Sequence, residues 1–191
     1  MRNRWFIALT AFLAATVVAA AQSSRDGAPE TFSANAHVTK AGTGGSAATL
    51  QIHIERYTPD ADRGMVESAL KTGGYPAFVP ALRKAPEVGY VQLGDQKTPI
   101  RWARQAKTEK GRTITLVTDK PVFFVGGGAV AAKPRAGYEV AVLQLTVNDV
   151  GLGEGSMAAA ARVKPGGPTG VQIDDYAEEP IKLVTVTRKI Q

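Results

Sequence analysis

The chain has 191 residues, a formal charge of +6 from 23 basic and 17 acidic side chains, and no cysteine. The missing cysteine excludes disulfides, thiolate metal sites and thiol nucleophiles together, so stability has to come from a conventional core. The length suits one domain built around a single core.

The N-terminus carries the marks of a cleavable export signal. Met1 to Arg4 is positively charged, Trp5 to Val18 is apolar, and Ala19-Ala20-Ala21 before Gln22 is a small-residue cleavage site, which assigns residues 1–21 to the signal. The apolar run is alanine-rich and falls short of the roughly 20 residues that span a bilayer. No cysteine stands at the cleavage point to take a lipid anchor. The expectation is a mature chain free in the periplasm or outside the cell, with no membrane span after cleavage. Loss of Arg2 and Arg4 with the signal lowers the charge from +6 to +4. The basic residues are scattered, with Arg101, Arg104 and Lys107 the nearest to a cluster, so nucleic acid is not an expected partner. A modest attraction to anionic lipids or polysaccharides remains.

Residues 22–31 read as a polar, disordered leader, and 32–191 as a single β-rich domain. Phe32 to Lys40 pairs with Leu50 to Tyr57 through Gly42-Thr43-Gly44-Gly45. In the second strand Leu50, Ile52 and Ile54 alternate with Gln51, His53 and Glu55, the period of a sheet with one wet face. At Thr58 the period changes: Thr58 caps, Pro59 takes the first helical position, and Asp60 and Asp62 meet the positive end of the helix dipole. Met65, Val66, Ala69 and Leu70 form the apolar stripe, and Gly73-Gly74 stops the helix. Beyond that stop, Pro76 and Pro80 allow only one or two broken turns.

Strands return at Tyr90 to Leu93, Ile100 to Ala106, Arg112 to Thr118 and Val122 to Val125, with a hairpin at Glu109-Lys110-Gly111. Tyr138 to Asn148 is apolar on both faces, Val140 and Val142 against Ala141, Leu143, Leu145 and Val147, and so belongs near the centre of the sheet system. Asn148 to Gly155 reads as a glycine-rich turn. Ser156 to Val163, Gly170 to Asp174 and Ile181 to Arg188 complete the set. The fold class is mainly β (α+β): an antiparallel β-sandwich or partly open barrel of about ten strands, with one helical insertion at 59–84.

The chemistry-bearing residues are sparse. His37 and His53 lie in the first hairpin, where they form a two-histidine site with Glu55 only if the register opposes them, and zinc usually takes three or four protein ligands. Asp60-Ala61-Asp62 fits a helix start, and Asp174-Asp175 with Glu178-Glu179 a polar turn without the Asp/Asn-Gly alternation of a calcium loop. Ser156 is no nucleophile elbow, because no strand-to-helix turn accompanies it. Gly126-Gly127-Gly128 and the glycines of 151–155 precede no helix and carry no phosphate-loop lysine. Trp102 flanked by Arg101 and Arg104 suits a sugar or an anionic ligand, whereas alternation puts Ile100 and Trp102 on one face and Arg101 on the other, the pattern of a core tryptophan. Tyr57, Tyr75, Phe78 and Tyr90 gather around the helical insertion. The candidate ligand-binding residues are therefore Trp102, Arg101, Arg104, Tyr57 and Tyr90, with no catalytic residue, metal site or cofactor expected.

Several stretches together resemble a family of uncharacterised exported bacterial proteins: Tyr57-Thr58-Pro59-Asp60, Leu70-Lys71 with Gly73, Ala81-Leu82, Val88-Gly89-Tyr90, Ile114 to Pro121, Gly153-Glu154-Gly155 and Tyr176 to Ile181. The resemblance covers most of the mature domain. It implies an exported single domain and carries no activity and no site residues. The reading is a non-catalytic exported domain that binds a small molecule, a glycan or an envelope protein. One rival is a secreted hydrolase drawing carboxylates from Asp119, Asp174, Asp175 and Glu178. Another is a structural or adhesive module that pairs through exposed strand edges. A version with an apolar ligand inside the barrel requires a cavity of about 300 Å³ or more.

Overall fold

The computed structural model describes residues 27–38, 46–122 and 135–189. The expected export signal, the expected loop at Gly42–Gly45, the strand expected through Phe123 to Val125 and the triple glycine at 126–128 lie outside the described residues. The described residues form nine strands and one helix, in chain order β1 Glu30–Val38, β2 Ser46–Ile54, α1 Asp60–Lys84, β3 Gly89–Leu93, β4 Gln96–Thr108, β5 Gly111–Thr118, β6 Val140–Val147, β7 Leu152–Pro165, β8 Val171–Tyr176 and β9 Ile181–Lys189.

All pairings are antiparallel, and the sheet closes on itself. Eight strands run round the circuit β1, β2, β3, β4, β5, β6, β7, β9 and back to β1, so the mainly β, α+β class holds, in the form of a closed antiparallel barrel with one helix between β2 and β3. The long β7 makes closure work. Its first half pairs with β6 on one side and β9 on the other, and its last residues leave the barrel to pair with β8. The residues from Leu152 to Gly155, expected in a turn, are the start of this strand; the turn itself is Asn148 to Gly151. Glycine is needed there because a Cβ at Gly153 or Gly155 would fall on the carbonyl oxygen of Thr146 or Gln144 in β6.

An eight-stranded barrel has an interior just wide enough for side chains to fill it. Small residues (Ala34, Ala36, Ala103, Ala141) and large ones (Phe32, Leu50, Ile52, Ile114, Leu116, Leu143) share the space. These interior side chains have 0–1% exposure. A ligand-sized cavity would leave accessible surface on the atoms lining it, so these side chains enclose none between them.

A second core lies outside the barrel, where α1 covers one wall. Val66, Leu70, Tyr75, Phe78, Val79 and Leu82 of the helix pack on Trp102, Val117, Val140, Val142, Ala158 and Ala161. At about 1.5–3 kcal/mol for each large side chain, the helix contributes on the order of 10 kcal/mol before entropy is counted. The double-faced apolar pattern of β6 is thereby explained: Val140 and Val142 face the helix, while Ala141, Leu143, Leu145 and Val147 face the barrel interior.

Two local expectations change. Pro59 is the N-cap residue, and Thr58 turns away from the helix to bond β4, its Oγ1 accepting from Ala103 N at 2.9 Å and its N–H donating to Ala103 O at 2.8 Å. Gly74 does not end the helix. It kinks it at φ 65° and ψ −161°, and helical backbone resumes through Lys84. Pro76 falls in the first turn after the kink, where no N–H is required, and Pro80 faces solvent, where water can take the orphaned carbonyl. No helix among the described residues is long and apolar enough to cross a membrane.

Candidate ligand-binding face

The Trp102 group does not assemble as alternation alone predicts. A bulge between Ile100 and Trp102 shifts the β4 register, leaving Ile100 inside the barrel and turning Trp102 outward beneath α1. Trp102 is fully buried there, and its indole N–H has no partner. Arg101 is taken by Asp119 at 3.3 Å and the Ala85 carbonyl at 3.1 Å. Arg104 donates to the Thr58 carbonyl at 3.0 Å and lies 3.5 Å from Asp60. These three residues therefore seat the helix on the sheet, and the indole ring does not face outward for a ligand. Tyr57 lies elsewhere, buried at one end of the barrel.

At that end, charged side chains enter the apolar interior. Glu30 shares the phase of Phe32, Ala34 and Ala36, and Arg112 that of Ile114 and Leu116, so both point inward. The Arg112 guanidinium grips Glu30 with both terminal nitrogens, at 3.0 and 2.6 Å. Tyr57 donates its hydroxyl to the same carboxylate, Gln105 accepts from Arg112 at 2.7 Å, and Arg188 stands 4.0 Å from Glu30. The Glu30 side chain is 3% exposed and Arg112 17%. Burial pulls the Arg112 pKa down, but the hydrogen bond to Glu30 and the charge field around it win, and the net shift is upward. This bidentate, satisfied pair closes the barrel mouth. Its polar groups are spent on one another, which suits a structural plug better than a reaction centre.

Three of the four carboxylates of the hydrolase reading are likewise taken by partners, and Asp174 and Asp175 share Arg162. Asp119 is bonded to Arg101. Asp174 contacts Arg162 at 3.0 Å and Lys164 at 3.4 Å. Asp175 accepts from the Tyr138 hydroxyl at 2.6 Å and the Tyr176 N–H at 2.9 Å, and these bonds hold its pKa below the usual carboxylate range. Glu178 is exposed. Nothing aligns two of them across a cleft. The first hairpin does not oppose its histidines either: His53 pairs with Thr31 and His37 with Ala47. No cluster of three metal-ligating side chains occurs among the described residues.

Tyr90 leads to a different surface. The wall formed by β9, β1, β2, β3 and the start of β4 is not covered by α1, and its outward side chains form cross-strand rows. One row reads Lys189, Thr31, His53, Tyr90, Pro99, and the next Thr187, Ser33, Gln51, Gln92, Lys97. Asn35 and Thr49 form the next pair, joined by a 3.2 Å hydrogen bond. His53 bonds Thr31 at 2.9 Å and Glu55 at 3.1 Å, and lies 5.1 Å from the Tyr90 ring. The Lys97 ammonium sits 4.4 Å over that ring, so a cation is held in place beside the amides. Sequence reasoning found Tyr90 but missed Gln51, Gln92, Asn35 and Thr49; the polar phase of β1 and β2 was the available signal. The chain matches no protein-family model, no curated protein and no solved structure, so the meaning of this face rests on its geometry.

Proposed function

We propose that this is an exported, non-catalytic barrel domain that binds its ligand or partner on the outer wall of β9, β1, β2 and β3, working in the periplasm or outside the cell. The observation that carries the reading is the wall that no described element covers, with Tyr90, His53, Gln51 and Gln92 in adjacent rows, beside a barrel interior filled by its own side chains. Paired or dispersed carboxylates favour binding over turnover. The free edge of β8 is short and carries Asp174 and Asp175, which discourages edge-to-edge pairing and weighs against an adhesive strand.

The test incubates the full chain with a panel of envelope polymers and, separately, with chromogenic glycosides and esters. Retention by a polymer is expected, with loss of retention in Gln51→Ala/Gln92→Ala and glycoside and ester hydrolysis at the buffer rate. Turnover above that rate, or retention indifferent to the wall substitutions, refutes the proposal.

A further inference from the structure

We infer that the outer wall is built for an acidic polysaccharide, an inference that rests on the binding role proposed above and names its ligand class. The outward positions of the paired strands run from Lys182 and Lys189 on β9, across β1, β2 and β3, to Lys97 and Pro99 on β4. None of them is an aspartate or glutamate, although the chain has 17 acidic residues. Glu55, one residue past the end of β2, is held by His53 at 3.1 Å. Three of the outward positions are lysines, all exposed, and they stand at the two flanks: Lys182 and Lys189 on β9, Lys97 on β4. Between them lie hydroxyls and amides, with His37, His53 and Tyr90 among them.

Each part of that arrangement answers one property of the ligand. Ser33, Thr49, Asn35, Gln51 and Gln92 present donors and acceptors at strand spacing, the complement of a polyol rather than of an apolar body. The flanking lysines supply charge for carboxylates or other anions along the chain. From Lys189 to Lys97 the wall spans four strand steps, about 19 Å at roughly 4.8 Å per step. That length suits a polymer more than one headgroup or one sugar. An anionic membrane is a poorer fit, because the exposed large apolar side chains among the described residues are Met65, Val150, Leu152 and Tyr176, on α1, the β6–β7 hairpin and β8. The wall has none of them to insert.

Isothermal titration of the full chain with polygalacturonate, its fully methyl-esterified form and phosphatidylglycerol vesicles tests the inference. Polygalacturonate is expected to bind and to weaken with salt, and the neutral ester to bind at least about tenfold more weakly, a difference of about 1.4 kcal/mol. Lys97→Glu/Lys182→Glu should abolish the preference for the acidic polymer. Gln51→Ala/Gln92→Ala should weaken both polymers while leaving the salt dependence in place. These side chains are surface-exposed or half-buried, and unchanged melting confirms that the variants fold. Equal affinity for the ester, still sensitive to Gln51 and Gln92, overturns the acidic class and leaves the wall as a neutral binding face. Binding to vesicles alone overturns the polysaccharide. Binding to none of the three, or a loss produced equally by Lys71→Glu/Lys84→Glu on α1, overturns the inference together with the location of the site.

Discussion

Replacing Arg112 with methionine would leave Glu30 as a 3%-exposed carboxylate whose remaining contacts include the Tyr57 hydroxyl and an Arg188 nitrogen 4.0 Å away. Breaking a buried ion pair from one side costs about 3–5 kcal/mol when the stranded charge has no water. Arg112→Met should fall in that range. Glu30→Gln is the milder change, because the stranded guanidinium keeps Gln105 at 2.7 Å and some solvent, with 17% of its side chain exposed. Its cost should be about 2 kcal/mol, by the loss expected for a charged hydrogen bond. Urea unfolding measures both. With a slope of about 2.5–3 kcal/mol per molar, the upper end of the usual range as suits a chain of this size, Arg112→Met should lower the midpoint by roughly 1–2 M and Glu30→Gln by about half as much. The double variant should cost less than the sum of the two, since each single change already removes the shared bonds. If Glu30→Gln is the worse of the pair, or if both cost under about 1 kcal/mol, the assignment of this pair as the plug of the barrel mouth is wrong.

Hydrogen bonds around β6 and β8 carry the remaining predictions. The Tyr75 hydroxyl donates to the Ala161 carbonyl at 3.0 Å and accepts from the Glu139 N–H at 2.7 Å, so Tyr75→Phe strands two backbone groups and should cost about 1–3 kcal/mol by denaturant titration. Burial pushes the Tyr75 pKa well above its ordinary 10.0; the folded state therefore holds the proton more tightly, and stability should fall as pH rises past about 10, a slope that Tyr75→Phe should make shallower, with the raised Tyr138 hydroxyl still contributing. Asp175 titrates below the usual range because Tyr138 donates to it, so its contribution is present at neutral pH and is lost as pH falls through the depressed value. Tyr138→Phe should move the Asp175 carboxyl upward in a carbon-detected NMR titration; an unchanged value sinks that assignment.

The strand-rich class was legible because apolar and polar residues alternate in β1, β2 and β9, and the helix because Pro59, Asp60 and Asp62 precede an apolar stripe. Tyr90 was legible as a candidate. The role of Trp102 was not: one bulge reverses the face of every residue after it, and a bulge leaves no mark in the alternation of Ile100, Trp102 and Arg104. Glu30 and Arg112 were partly legible, as charged residues in the apolar phase of their strands, but their pairing across 82 positions of chain was not.

Local sequence determined the period of each element, the polar side of each strand and the absence of cysteine chemistry, because these depend on neighbours along the chain. Closure was decided by tertiary structure. Whether β7 meets β9, and so whether the sheet is a barrel or a sandwich, depends on one strand pairing with β6 on one side and with β9, separated from it along the chain by β8, on the other. The same closure chose which outer face the helix would cover and, among the described residues, left the wall of β9, β1, β2 and β3 open.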